Sequence, residues 1–574
     1  MGTQVQHFDA VIVGSGFGGS VNAFRLAEAG RRVCVLERGK PYPPGSFARS
    51  PRELSKAFWD PSEGLHGIWN IWSFKGIEAM TSAGLGGGSL VYANVLLRKD
   101  ERWFVKDDPF GAGYENWPIS RADLEPHYDV AERMLGAQRF PFEAPVYRDT
   151  PKTKAMQEAA QRLGIDWQLP PLAVTFANPG DAPVRGEPIR EEHPNLHGRT
   201  RLTCKMVGEC DFGCNYGSKN SLDYNYLSAA KRHGADIRTR CEVREIAPRP
   251  GGGYTVTYVE HVPEREGVKT DTAKLPTISV TADRLVLAAG TLGTPYLLLR
   301  NRKALSGLSP ALGTRFCGNG DLLTILSRAK SRIDGQVTNR RLDGSTGPVI
   351  TSAMRIPDTV DGGEGRGFYI EDAGYPGFID WMLEASTVPS TVRRAAAFAF
   401  RQVWGRVRRR PDSDLSAELG ALLGDTSLSS GSMPLLGMGR DVPDGVMALR
   451  RRRLEIDWTT ATSQEYFDRV RATMIDIARE VGADFSDNVL WRLKRVITVH
   501  PLGGAPMGRD VSEGVVDSNG EVFGHPGLTI ADGSVMPGPV GPNPALTIAA
   551  FANRAADRIL ESGRTTASTQ RENA

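Results

Sequence analysis

Apolar positions gather into a few glycine-bounded runs along the chain. In "FDAVIVGSGFGGSVNAFRLAEAGRRVCVLERG" an unbroken apolar run, a glycine turn, apolar residues at helical spacing and a second apolar run follow one another. That order predicts strand, turn, helix, strand. A run near the middle, "RLVLAAGTLGTPYLLLR", Arg284–Arg300, reads as a buried strand ending in Ala-Gly-Thr ahead of a helix. The last, "LTIADGSVMPGPVGPNPALTIAAFANRAADRI", Leu528–Ile559, reads as a strand, a loop carrying Asp532, and a helix. A second glycine cluster, "MTSAGLGGGSLVYANVLLR", spans Met80–Arg98. "LHGIWNIWSFKGIEAM" offers Trp69 and Trp72 to a pocket wall, a lid or the core. "LRRRRLEIDW", Leu449–Trp458, alternates into a solvated hairpin without assigned function, and the polar tail "ESGRTTASTQRENA" is expected to fray.

The first glycine turn carries specific chemistry. Gly14, Gly16 and Gly19 form G-x-G-x-x-G directly after the strand Ala10–Val13. The first glycine permits the tight turn, the second admits a pyrophosphate to the backbone, and the third lets helix pack on strand. The helix dipole then faces the phosphates. Glu37 ends the second apolar run, where a carboxylate can accept from a ribose diol and repels a 2′-phosphate. FAD or NAD is therefore favoured over NADP.

Composition narrows the class without fixing it. The chain has 574 residues, 40% hydrophobic and 24% charged, as expected of a folded globular protein. Its 70 basic and 67 acidic residues leave a formal charge of +3, so no global field favours nucleic acid. Six unevenly spaced cysteines do not make a disulfide scaffold. The start runs straight into the first strand with no room for a signal peptide, and no apolar run reaches the ~18 residues of a membrane span. A cytoplasmic location is expected.

Taken in order, the four runs resemble the glucose-methanol-choline (GMC) oxidoreductases, and within them the steroid-oxidising members. The family pattern near the carboxyl terminus stands here as His500 to Gly504, Asp532 to Ser534 and Gly541 to Pro544. The resemblance implies an α/β fold with an α+β insertion. A discontinuous Rossmann-like FAD-binding domain (1–105, 200–325 and 485–574) would accompany a substrate domain with an antiparallel sheet (106–199 and 326–484). It implies FAD contact by Gly14, Gly16, Phe17, Gly18, Gly19, Glu37, Gly86, Gly88, Asn94, Val243, Gly290, Asp532 and Gly533. Tyr92 and Ala93 stand where the steroid-oxidising members have Asn-Gly, so that loop departs from the pattern.

Oxidation of a secondary alcohol removes the hydroxyl proton and transfers the carbon-bound hydride to the flavin. Histidine suits the first task near neutrality, which makes His500 the expected base. The family's second His or Asn falls on Asn543, a neutral amide able to orient the hydroxyl. Glu371, in "GFYIEDAGYPGF", resembles a carboxylate that moves a proton during Δ5 to Δ4 isomerisation, a role that needs a raised pKa. The expected substrate is a lipid or steroid alcohol such as a 3β-hydroxysteroid, with oxygen or an unidentified carrier as acceptor. The competing reading is a dehydrogenase for another alcohol or a sugar, serving a quinone or cytochrome. A non-enzymatic FAD-binding module has no need of the His500–Asn543 pair.

Two further segments stand apart. Cys204, Cys210 and Cys214 are spaced C-x5-C-x3-C, which suits buried packing in a glycine-rich loop better than a three-iron cluster, and no metal is assigned. "STVRRAAAFAFRQVWGRVRRRPD", 390–412, reads as a basic amphipathic helix, either packed on its own core or lying on an anionic membrane surface.

Overall fold

The computed structural model describes residues 5–105, 115–376, 430–488 and 490–572. The first apolar run forms the strand Gln6–Val13, buried over its second half, at the middle of a seven-stranded sheet. It pairs in parallel with Val33–Leu36 on one side and Thr277–Leu287 on the other. Asp236–Arg238 extends the sheet in parallel beyond Val33–Leu36. On the edge away from Gln6–Val13, Thr277–Leu287 is long enough to serve two more partners. Its first half pairs antiparallel with Tyr254–Glu260, which continues to Cys241–Pro248, and Leu285–Leu287 pair in parallel with Leu528–Ile530. Strands hundreds of residues apart thus end side by side, and ligands of such sheets sit at those carboxyl ends.

The helix Phe17–Glu28 leaves the first strand at Gly16, which caps it without a side-chain hydrogen bond. Its first-turn N–H groups are left for a ligand. The helix packs against Ala545–Glu572, which also packs on Arg121–Met134. The expected frayed tail is overturned here: the last helix runs on to Glu572, through a segment that is free of proline and contains the good helix formers Ala, Glu, Gln and Arg.

A second, six-stranded antiparallel sheet follows the order Asp484–Asp487, Leu322–Ser327, Met433–Gly439, Phe368–Asp372, Ala353–Ile356, Asp166–Gln168. Positions 325 and 485, where the sequence reading divides the chain, fall inside its first two strands. Gln464–Val481 buries Phe467, Val470, Met474, Ile477 and Val481, a helical stripe of the expected period, and packs against the sheet and the helix Pro151–Leu163.

The tryptophan-rich stretch forms two strands, Trp69–Ser73 and Ile77–Ser82, joined in parallel by Val496–Thr498. The arginine-rich stretch does form a hairpin, Val446–Arg450 with Arg453–Asp457. It is not simply solvated. Met447, Leu454 and Ile456 are buried in the second core, because strand alternation turns them inward while Arg453 and Glu455 stay outside. The segment 390–412 lies outside the described residues. Among the described residues no helix is long and apolar enough to cross a membrane.

Candidate active site

One connected cavity of about 1160 Å³ runs from the first glycine turn, between the tryptophan strands and the Rossmann-like sheet, to the second sheet. Gly14, Gly16, Phe17, Gly18, Glu37, Gly88, Asn94, Val243, Gly290, Asp532, Gly533, His500 and Asn543 all line it. Gly19, Gly86 and Glu371 do not.

Each motif glycine meets a different surrounding. Gly14 has φ +95°, and a Cβ there would lie 2.3 Å from the Ala288 carbonyl oxygen. A Cβ on Gly19 would lie 1.9 Å from the Gly14 carbonyl oxygen, so the helix is pressed onto the turn. On Gly16 a Cβ would meet nothing within 4 Å and would enter the cavity instead. This is a groove shaped for close approach to backbone, and it fits the pyrophosphate of FAD. Gly88 and Gly290 are likewise open on the cavity side. Asn94, in the left-handed region at φ 72°, lines the groove with neither amide atom hydrogen-bonded among the described residues.

Glu37 is more heavily engaged than its sequence position suggests. Its Oε2 accepts from the Ser15 N–H at 3.0 Å and the Ser15 hydroxyl at 2.7 Å, and its Oε1 from the Gly39 N–H at 2.8 Å. A carboxylate has about four acceptor positions, so little remains for a ribose diol. Ser15, which the sequence reading passed over, also accepts from the Gly86 N–H at 3.0 Å. Gly86 therefore supports the groove through the two glycine turns it connects. Asp532 ties the other wall. Its Oδ2 accepts from the Gly290 N–H at 2.9 Å and the Thr294 hydroxyl at 2.5 Å, and its Oδ1 from the N–H and hydroxyl of Ser534.

His500 follows the strand Val496–Thr498 by two residues. Its Nδ1 lies 2.8 Å from Asp321 Oδ1, while Asp321 Oδ2 accepts from the N–H groups of Val499 and His500 and from the Thr498 hydroxyl. An ionised carboxylate can only accept, so Nδ1 carries the proton and Nε2 keeps its lone pair. Asp321 is fully buried and was missed by sequence reasoning; an acid before a strand gives no local sign of a partner 179 positions away. Asn319, equally unforeseen, clamps the GPNP loop by donating to the carbonyls of Gly541 and Pro542 and accepting from the Gly541 N–H.

Asn543 donates from Nδ2 to Glu371 Oε2 at 3.3 Å. Glu371 is fully buried in the strand Phe368–Asp372 and is joined to the cavity lining by its hydrogen bond from Asn543. Burial pushes its carboxyl well above the ordinary range; the Asn543 hydrogen bond opposes this, and the charges of Asp372 and Asp321 add to it. The neutral acid is favoured.

Cys204, Cys210 and Cys214 border a separate cavity of about 20 Å³, of the order of one water. Among the described residues no group of three or more His, Cys, Asp or Glu is arranged to hold a metal ion.

A Rossmann-like sheet with a phosphate groove, a histidine and an amide meeting in the same cavity, and a second antiparallel sheet define a flavin-dependent oxidoreductase. Comparison with known proteins gives the particular family. Models described as GMC oxidoreductase match residues 195–317 and 457–552, and one described as NAD(P)-binding Rossmann-like domain matches 12–49. A cholesterol oxidase of Mycobacterium tuberculosis is 31% identical over 97% of this chain and 92% of its own. A cholesterol oxidase of Acinetobacter baumannii is 26% identical over 96% of this chain and 94% of its own. An FAD-dependent oxidoreductase from Chaetomium thermophilum shares the fold, with TM-score 0.57 and 17% identity over 97% of this chain and 100% of that one. The chain belongs to the GMC oxidoreductase family and is an FAD-dependent enzyme that oxidises alcohols.

Proposed function

We propose that the alcohol is bulky and lipid-like, with a 3β-hydroxysteroid the best candidate, and that it is oxidised to the ketone. The observation that carries this reading is the composition of the cavity around His500 and Asn543. Phe212, Leu323, Val349, Ile350 and Leu436 line the same cavity as His500 and Asn543 and give it apolar surface. Such a site buries an apolar skeleton and fixes one hydroxyl. The two bacterial cholesterol oxidases among its relatives support the same class.

In this reading Asn543 orients the substrate oxygen by donating to it the Nδ2 hydrogen that Glu371 does not take, which leaves the hydroxyl proton directed at His500. His500 Nε2 takes the hydroxyl proton as the C–H bond gives up its hydride. FAD, held by the groove from Gly14 to Gly18 with Gly88, Gly290 and Asp532, supplies the hydride acceptor. Asp321 keeps the imidazole in the tautomer that can accept and stabilises the imidazolium that results. Glu371, neutral in its buried position, serves proton movement in Δ5 to Δ4 isomerisation, and oxygen is the electron acceptor.

The test is anaerobic mixing of the FAD-loaded enzyme with a 3β-hydroxysteroid. The flavin absorbance is expected to bleach, and to return when air is admitted. Glu371→Gln should bleach comparably but release the unconjugated ketone. Bleaching by short alcohols or sugars with none by sterols defeats the substrate assignment, and a conjugated product from Glu371→Gln at the wild-type rate removes the isomerase role.

A further inference from the structure

Asp211 lies between Cys210 and Cys214 and has no role in the readings above, yet it lines the same cavity as His500. It sits in the one-turn helix Cys210–Phe212, whose position is well fixed. Arg49 pairs with Glu209 at 2.7 Å and donates to the Phe212 carbonyl, Lys219 Nζ donates to the Cys210 carbonyl at 2.9 Å, and the Phe212 ring stands edge-on to Trp69. Among the described residues the Asp211 carboxylate itself takes no hydrogen bond and no ion pair. A fixed carboxylate without a donor, on the wall of a reaction cavity, acts through its charge.

Three basic groups lie within electrostatic reach of it: Lys219, Lys152 and His500. The two lysines are committed elsewhere. Lys219 is bound to the Cys210 carbonyl and lies over the Tyr92 ring, and Lys152 donates to the Pro348 carbonyl and pairs with Asp372 at 3.1 Å. Neither lines the cavity; His500 does. We propose that Asp211 is a positioning residue for proton abstraction, its charge favouring the imidazolium that forms when His500 takes the alcohol proton.

This rests on His500 being the base. Asp321 fixes the ring through Nδ1, and Asp211 adds a second negative charge from the cavity wall. Burial lifts the Asp211 carboxyl to about 6, against the opposing charges of Lys219, Lys152 and His500. Its help is therefore absent in acid and present above neutrality. At an effective dielectric near 20, a unit charge acting from about 10 Å changes the rate of such a step by roughly tenfold.

The test uses the FAD-loaded wild type, Asp211→Asn and Asp211→Glu, with an alcohol the enzyme oxidises. In the wild type kcat/KM should carry a rise as pH passes through about 6, and a protonated-carboxyl infrared band should vanish over the same range. Asp211→Asn should lose both and fall about tenfold above neutrality, and Asp211→Glu should recover them. Asp211→Ser, smaller than the native side chain, replaces Asp211→Asn if that variant does not retain FAD. A neutral variant that retains FAD and keeps the wild-type profile, or keeps the titrating band, overturns the proposal. His500→Gln tests the underlying reading separately: full turnover there defeats the base, whereas the infrared titration of Asp211 stays readable.

Discussion

At the scale of single residues, the site consists of buried polar groups paired across long separations. His500 depends on Asp321 for its tautomer, and Asn543 stands between the cavity and Glu371. Asp321→Asn keeps the size but lets an amide face Nδ1, so the ring is free to present N–H to the substrate. Turnover should fall by about 10²-fold or more with FAD content unchanged, because a base that has lost its lone pair forfeits most of a general-base contribution. Equal turnover in this variant, measured by flavin bleaching, would show that the pair only packs. His500 and Asn543 were legible because each lies in a short diagnostic string. Asp321, Ser15 and Asp211 were not, since nothing in their own neighbourhoods marks what they face.

At the scale of elements, the glycine turn shows how one motif divides its tasks. Gly14 and Gly19 have no space for a side chain against neighbouring backbone, whereas Gly16 has space only where a cofactor would lie. Gly16→Val is accordingly expected to fold, with a melting temperature near that of the wild-type apoprotein, and to purify without flavin colour. Gly19→Ala should instead fail in the fold itself, as a Cβ 1.9 Å from a carbonyl oxygen must push helix and turn apart. A Gly16→Val protein that retains a full complement of FAD would mean that the groove does not hold the pyrophosphate. The period of the apolar positions also made most of these elements readable: four-residue runs became parallel strands, and a 3.6-residue stripe became the helix Gln464–Val481. The arginine hairpin was read correctly as a hairpin and wrongly as solvated, because alternation predicts a buried face only once something is known to cover it.

At the scale of the whole molecule, two sheets share a cavity, and several carboxyl groups are buried around it. Asp441, fully buried, accepts from the Gly318 N–H at 3.0 Å, and burial lifts its carboxyl to about 7. In the unfolded chain an aspartate titrates near ~4. Between those values the native state holds a proton that the unfolded chain has released, so this group makes stability fall as pH rises from about 4 to 7, with its full cost above 7. Asp441→Asn keeps an acceptor for Gly318 and removes that slope. Thermal unfolding at pH 5 and pH 8 should show a smaller drop in the variant, and an identical drop would mean that Asp441 ionises freely in the fold. The sequence by itself determined the dinucleotide groove and the family resemblance, and it singled out His500 and Asn543 for the proposed base and amide, because local backbone geometry and contiguous motifs encode them. Only the tertiary structure decided what fills each side chain's surroundings: Asp321 behind His500, Ser15 on Glu37, Glu371 behind Asn543, Asp211 on the cavity wall. Those contacts join segments tens to hundreds of residues apart, and hydrogen bonding and charge act through space, where distance along the chain has no bearing.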